Sequence, residues 1–161
     1  MTASDLRALL DEFYRDKVKL LQRHVAGAEH VNQYDFNNTY QFIIARDEVH
    51  VSWLAAALLE SGGSPGNNVE TPELPEGAGD RTAAIFEDDA RQAQQMVDKW
   101  RERVEQIGHA RHQLMLRVVL GETLEHRRFF EQALEGRHDL LGRHPADAGS
   151  RGVVLPTRWL E

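Results

Sequence analysis

The sequence predicts an all-α protein, a four-helix bundle with one long crossover between its second and third helices. Three observations carry this. Four long segments repeat apolar residues at steps of three and four, the spacing of a helix with one buried face. No segment alternates apolar and polar residues as a half-buried strand does, and no repeat of fixed period is present. A connection rich in Gly and Pro, "GGSPGNNVETPELPEGAG" at 62–79, divides the four segments into two pairs.

The first helix is predicted over 3–26, with Leu6, Leu9, Leu10, Phe13, Tyr14, Val18, Leu21 and Val25 as its apolar stripe. Ser4 or Asp5 is its expected N-cap, and "AGA" at 26–28 is expected to loosen its end. The second begins near Asn32–Asn38 and runs to Ser61, where "SGG" and then Pro65 stop it. Asp80 is expected to cap a third helix over about 81–107, with Ile85, Phe86, Met96, Trp100, Val104 and Ile107 inward. "IGHA" breaks the chain, and a fourth helix follows over about 110–136, ending at "EGR". The bundle is thus expected to span 1–136, with a C-terminal tail over 137–161 that ends in "GVVLPTRWLE".

The length of the connection over 62–79 selects the topology. Extended, it reaches roughly 55–60 Å. A helix of about 28 residues is roughly 42 Å long. The connection can therefore run the full height of the bundle and leave helices 2 and 3 parallel. An up-down bundle needs no such crossing.

Composition narrows the function classes. The 161 residues suit one domain with a sizeable core. The formal net charge of −7 argues against a nucleic-acid surface. With no cysteine, disulfides, iron–sulfur clusters and thiolate zinc sites are excluded. "MTASDLRALLDEFYRDK" lacks an apolar signal-peptide core, and no apolar run is long enough to span a membrane. The expected setting is cytoplasmic. No serine-hydrolase elbow, phosphate-binding glycine loop or dinucleotide fingerprint is present.

Polar residues on the inner stripes are the candidate site. In the second helix, Phe36, Tyr40, Ile43, Asp47, His50, Leu54 and Leu58 share a face. An acid and a histidine three apart can reach one metal ion from one helix. Asp89 shares a face with Phe86, Ala93, Met96, Trp100 and Val104, and also reads as an exposed acid near a helix N-terminus. In the fourth helix His126 lies among His112, Leu116, Val119, Thr123, Phe130 and Ala133, with Glu122 on the shoulder. Asp47, His50, Asp89, Glu122 and His126 all fall near mid-height. Buried carboxylates need a counter-charge, and a cation is the natural one. Two readings of Asp47 and His50 stand: metal ligation, or a hydrogen-bonded core pair.

"RDEVHVSWLAAALLESGGSPGN" resembles the second helix of bacterioferritin- and rubrerythrin-type ferritins, which carry an E-x-x-H pair, an apolar run and a Gly/Pro turn. "VVLGETLEHRRFFEQALEG" is similar to their fourth helix. The resemblance spans roughly 5–136. It implies a ferritin-like fold, a carboxylate–histidine metal site for iron (or manganese or another divalent ion, mono- or dinuclear), and iron handling or iron-dependent oxidation. It also implies a homo-oligomer, a dimer or larger. The pattern departs from the family. Asp47 stands for a glutamate, and Thr123 lies three before His126, so Glu122 or Glu125 must serve instead. The first-helix ligand position falls at about Tyr14, with Glu12 and Asp16 the nearest acids. The alternative is a non-catalytic ferritin-like protein with a lost site, acting as a structural or partner-binding subunit through a protein partner at 150–161.

Overall fold

The computed structural model describes residues 1–67, 70–77 and 79–141. The tail segment over 150–161, expected to meet a partner, lies outside the described residues. Four helices make up the regular structure of the described residues: α1 (Ala3–Ala28), α2 (Tyr34–Glu60), α3 (Thr82–Glu105) and α4 (Ala110–Leu134).

Local chemistry sets the ends. Thr2, not Ser4 or Asp5, is the N-cap of α1. Its hydroxyl accepts from the Asp5 N–H while the Asp5 carboxylate accepts from the Thr2 N–H, a closed capping box. The helix runs on through Gly27 to Ala28, because Gly27 sits buried against α3 and α2. A Cβ there would lie 3.2 Å from Ile85 Cγ2 and 3.5 Å from the Asp89 carboxylate and the Tyr40 ring. Helix α2 stops as "SGG" requires. Gly62 takes φ of 77°, its N–H bonds Leu59, and the Gly63 N–H bonds Leu58. Gly136 ends α4 the same way, at φ of 84°. The Thr82 N–H is taken by Asp80, one residue before the helix boundary at Arg81.

Ion pairs report the helix directions. Along α1, Glu12, Asp16 and Arg23 meet Arg103, Lys99 and Asp88 in turn, so α1 and α3 are antiparallel. Arg46 and Glu60 on α2 meet Glu122 and Arg111 on α4, so that pair is antiparallel too. Helix α1 neighbours α2 and α3, and α4 neighbours the same two, leaving α2 and α3 on a diagonal. Since α1 and α2 form a hairpin, α2 and α3 run in the same direction. The long connection makes that diagonal crossing.

The interior has two apolar layers. One holds Leu10, Phe13, Leu54, Trp100, Leu116 and Val119. The other holds Tyr40, Ile43, Ile85, Phe86 and Phe130. Between them, at mid-height, lie buried polar side chains from all four helices: Lys17, His24, Asp47, His50, Asp89, Thr123 and His126. On α1 the buried stripe is rotated from expectation, for Val25 is 44% exposed while Lys17 and His24 are inside.

Trp100 is fully buried and packs on Phe13 with ring centroids 4.8 Å apart. Trp100→Ala is expected to lower the unfolding free energy by about 3–5 kcal/mol. Urea titration followed by circular dichroism checks this.

Candidate functional site: a buried lysine–aspartate–histidine centre

The centre is built on α1. Stepping from Leu10 and Phe13 by three and four reaches Lys17, Leu20 and His24, all buried. The same steps bring Asp47 and His50 inward on α2, Asp89 on α3, and Thr123 and His126 on α4. The Lys17 ammonium donates to Asp47 Oδ1 at 2.5 Å, both side chains being fully buried. His24 Nδ1 lies 2.5 Å from Asp47 Oδ2. Asp47 is therefore held at both oxygens by α1.

Two more imidazoles face the same carboxylate. His126 Nδ1 is 3.8 Å and His50 Nδ1 4.0 Å from Asp47 Oδ1. Neither nitrogen has a hydrogen-bond partner among the described residues. The far side of His50 reaches outward, with Nε2 2.6 Å from Glu122. Glu122 is also clamped by Arg46 at 2.9 and 2.7 Å, a bidentate pair. Asp89 makes a separate pair beside this group. Tyr40 donates its hydroxyl to Asp89 Oδ2 at 2.5 Å, and Arg23 lies 3.6 Å from the other oxygen.

Burial and charge set the proton affinities. For Asp47, burial alone would raise the pKa. Lys17 and His24 outweigh it and hold the carboxyl far below its usual range. Burial pulls His24 down, but Asp47 outweighs it and the net shift is upward. Burial and the Lys17 charge push His50 down to about 4. Burial pushes His126 down to about 3. Glu122 is lowered because Arg46 and His50 outweigh its burial. Burial raises Asp89, and burial together with Asp89 raises Tyr40. With Glu122 ionised and His50 neutral, Nε2 must carry the proton given to Glu122. His50 Nδ1 is then a bare lone pair aimed at the centre.

The five expected ligands do not converge on one point. Asp47, His50 and His126 come together. Glu122 joins only through the outer nitrogen of His50, and Asp89 is engaged by Tyr40. Asp89 is fully buried, so its reading as an exposed acid is set aside. On α1, Tyr14 is core, while Glu12 and Asp16 bind Arg103, Lys99 and the Trp100 indole in the α1–α3 groove. Glu125 is exposed. Lys17, His24 and Arg46 were not foreseen. Among the described residues, no group of three or more His, Asp or Glu is arranged to hold a metal ion. The donor chemistry agrees, because each carboxylate already has a cation or hydroxyl donor of the protein against it. As arranged, this set does not fit a resident metal ion.

No family model, no curated protein and no solved structure matches the chain. What the fold and the centre define is an all-α four-helix bundle with a buried ion-pair network.

Two outcomes are expected from this geometry. Lys17→Met strands the Asp47 charge and is expected to cost about 3–5 kcal/mol of unfolding free energy. Adding Asp47→Asn removes the charge while still accepting from His24, and is expected to restore most of that loss in the same urea titration. The second concerns pH. His50 and His126 stay neutral in the folded chain down to about 4 and about 3, whereas in the unfolded chain they gain protons below the ordinary value of 6.5. The unfolded state thus binds more protons as pH falls from 6.5 toward 4, and stability is lost over that window. His24 is raised, so its contribution runs the other way, full well below 6.5 and lost as pH rises past 6.5. His126→Gln is expected to reduce the slope of unfolding free energy against pH by up to about 1.4 kcal/mol per unit.

Proposed function

We propose that this chain is a non-catalytic bundle of ferritin-like type that works as a structural or partner-binding subunit, its buried Asp47 neutralised by Lys17 instead of by iron. One observation carries the reading: a lysine ammonium from α1 sits 2.5 Å from Asp47 where a metal would otherwise balance the charge. The parallel α2 and α3 and the mid-height polar layer support the ferritin-like part. A closed interior supports the absence of turnover, since Lys17, Asp47 and His50 are fully buried and His126 is 2% exposed. A reactant bound for Asp47 would have to pass these buried side chains. No helix of the described residues is long and apolar enough to cross a membrane. A cytoplasmic setting is part of the proposal.

A second reading, iron handling, draws on the Nδ1 atoms of His50 and His126, which have no hydrogen-bond partner among the described residues. They are two nitrogen donors beside one carboxylate oxygen, and imidazole and carboxylate suit divalent iron. It requires Lys17 to give up its place on Asp47.

Metal content decides between them. The protein is purified without chelators, loaded anaerobically with Fe(II), desalted and measured by mass spectrometry, beside Lys17→Glu. Wild type is expected to retain only trace iron, and Lys17→Glu to retain a stoichiometric amount. Stoichiometric iron in wild type that is lost in His50→Ala and His126→Ala would overturn the proposal in favour of the second reading.

A further inference from the structure

The outer face shared by α2 and α4 is built unlike the rest of the surface. From Val49 to Leu59, α2 has no charged residue, in a chain that is 28% charged. Ser52, Trp53, Ala56 and Leu59 in that run are exposed nonetheless. An isolated bundle would place charge there; a helix apolar on nearly every side belongs inside an assembly. Alongside it, α4 exposes Leu114 at 63% and Val118 at 40%. The Arg46–Glu122 and Glu60–Arg111 pairs bracket this stretch, so Trp53 stands level with Leu114 and Val118.

Gly121 is the second, independent observation. It lies in the middle of α4, exposed, and a Cβ there would meet no described atom within 4 Å. Glycine is a poor residue for a helix interior, and nothing among the described residues requires one. Gly27 shows the contrast, since its Cβ position is filled by α3 and α2. Small residues on a helix surface let a second backbone come close.

We infer that the α2/α4 face is the interface of a homodimer, with α4 of one copy crossing α4 of the other antiparallel at Gly121. The charges favour a second copy over a different partner. A two-fold axis at Gly121 sets Arg117, four residues before it, opposite Glu125, four residues after it, in both directions. Glu125 is exposed, and Arg117, paired with Glu105 at the surface of its own chain, would exchange that partner for Glu125 across the axis. Val118 comes opposite Leu124 by the same operation. Arg46 and Glu122, beside Gly121, already neutralise one another. The size is adequate: α2 and α4 are about 38 Å long and together about 20 Å wide, close to the about 800 Å² that each partner gives to a standard interface. The interface also covers Glu122, the half-buried outer end of the His50 contact.

This inference rests on the reading of the chain as an assembly subunit, and the two fail separately: iron content tests one, oligomeric state the other. The full chain is measured by sedimentation equilibrium over a concentration series, with melting temperature recorded for each variant. Wild type is expected to be dimeric. Gly121→Gln is expected to weaken the dimer at least about thirtyfold, the scale of an interface hot spot, while the dilute monomer melts no lower than wild type. Arg117→Glu and Glu125→Arg are each expected to weaken it, and the double swap to restore it. A monomeric wild type would overturn the inference. So would a dimer indifferent to Gly121→Gln and to the charge swaps, which would place the contact on another face.

Discussion

The structure depends on one buried ion pair. Lys17 and Asp47 are both out of water, and neither charge is tolerable there without the other. Their contact fixes the rotation of α1 and α2 about their axes and their relative height. A turn of either helix that would suit an apolar stripe equally well would strand a charge. His24, about two turns further along α1, repeats the constraint on the second oxygen of Asp47. Two bonds from one helix to one carboxylate leave little freedom to slide.

The rest of the bundle is arranged around that constraint. The two apolar layers meet above and below the polar one, so stabilising burial does not have to cross it. Asp89 needs its own partners, and receives the Tyr40 hydroxyl from α2 and the nearby Arg23 from α1. The close approach at Gly27 lets α1 sit against α3 at the height of Asp89. On the α2–α4 side, Arg46 and Glu122 carry the network to the surface through His50. The two sides differ accordingly. The α1–α3 groove is lined by ion pairs such as Glu12–Arg103 and Asp16–Lys99, whereas the α2–α4 face carries an uncharged run of α2, Val49 to Leu59, between its two ion pairs.

Much of this was legible in the sequence. Helix number, the stops at Gly62 and Gly136, the parallel direction of α2 and α3, and the inward placement of Asp47, His50, Asp89 and His126 follow from periodicity, turn chemistry and the reach of the connection. What was missed on α1 has a physical reason. A stripe drawn through apolar residues alone passes through Val18, Leu21 and Val25, because lysine and histidine weigh against burial on any hydropathy scale. The steps from Leu10 and Phe13 to Lys17, Leu20 and His24 were equally regular. The signal was a cation on an inner position facing an acid on the neighbouring helix, and it is visible only when both helices are read together. The convergence of the five expected ligands was overestimated for a related reason. Height along a bundle can be counted from sequence, but which carboxylate is already claimed by Tyr40 or Arg46 depends on side-chain directions.

On the proposed reading, Lys17 takes the place of a metal ion, the interior has no chemistry to perform, and the surface is the part that acts. The most direct test is anomalous diffraction from crystals of the full chain grown with excess Mn(II). The expected result is Lys17 Nζ seated on Asp47, with no anomalous peak among Asp47, His50 and His126. A peak bonded to Asp47 and both imidazoles, with Lys17 turned away, would contradict it.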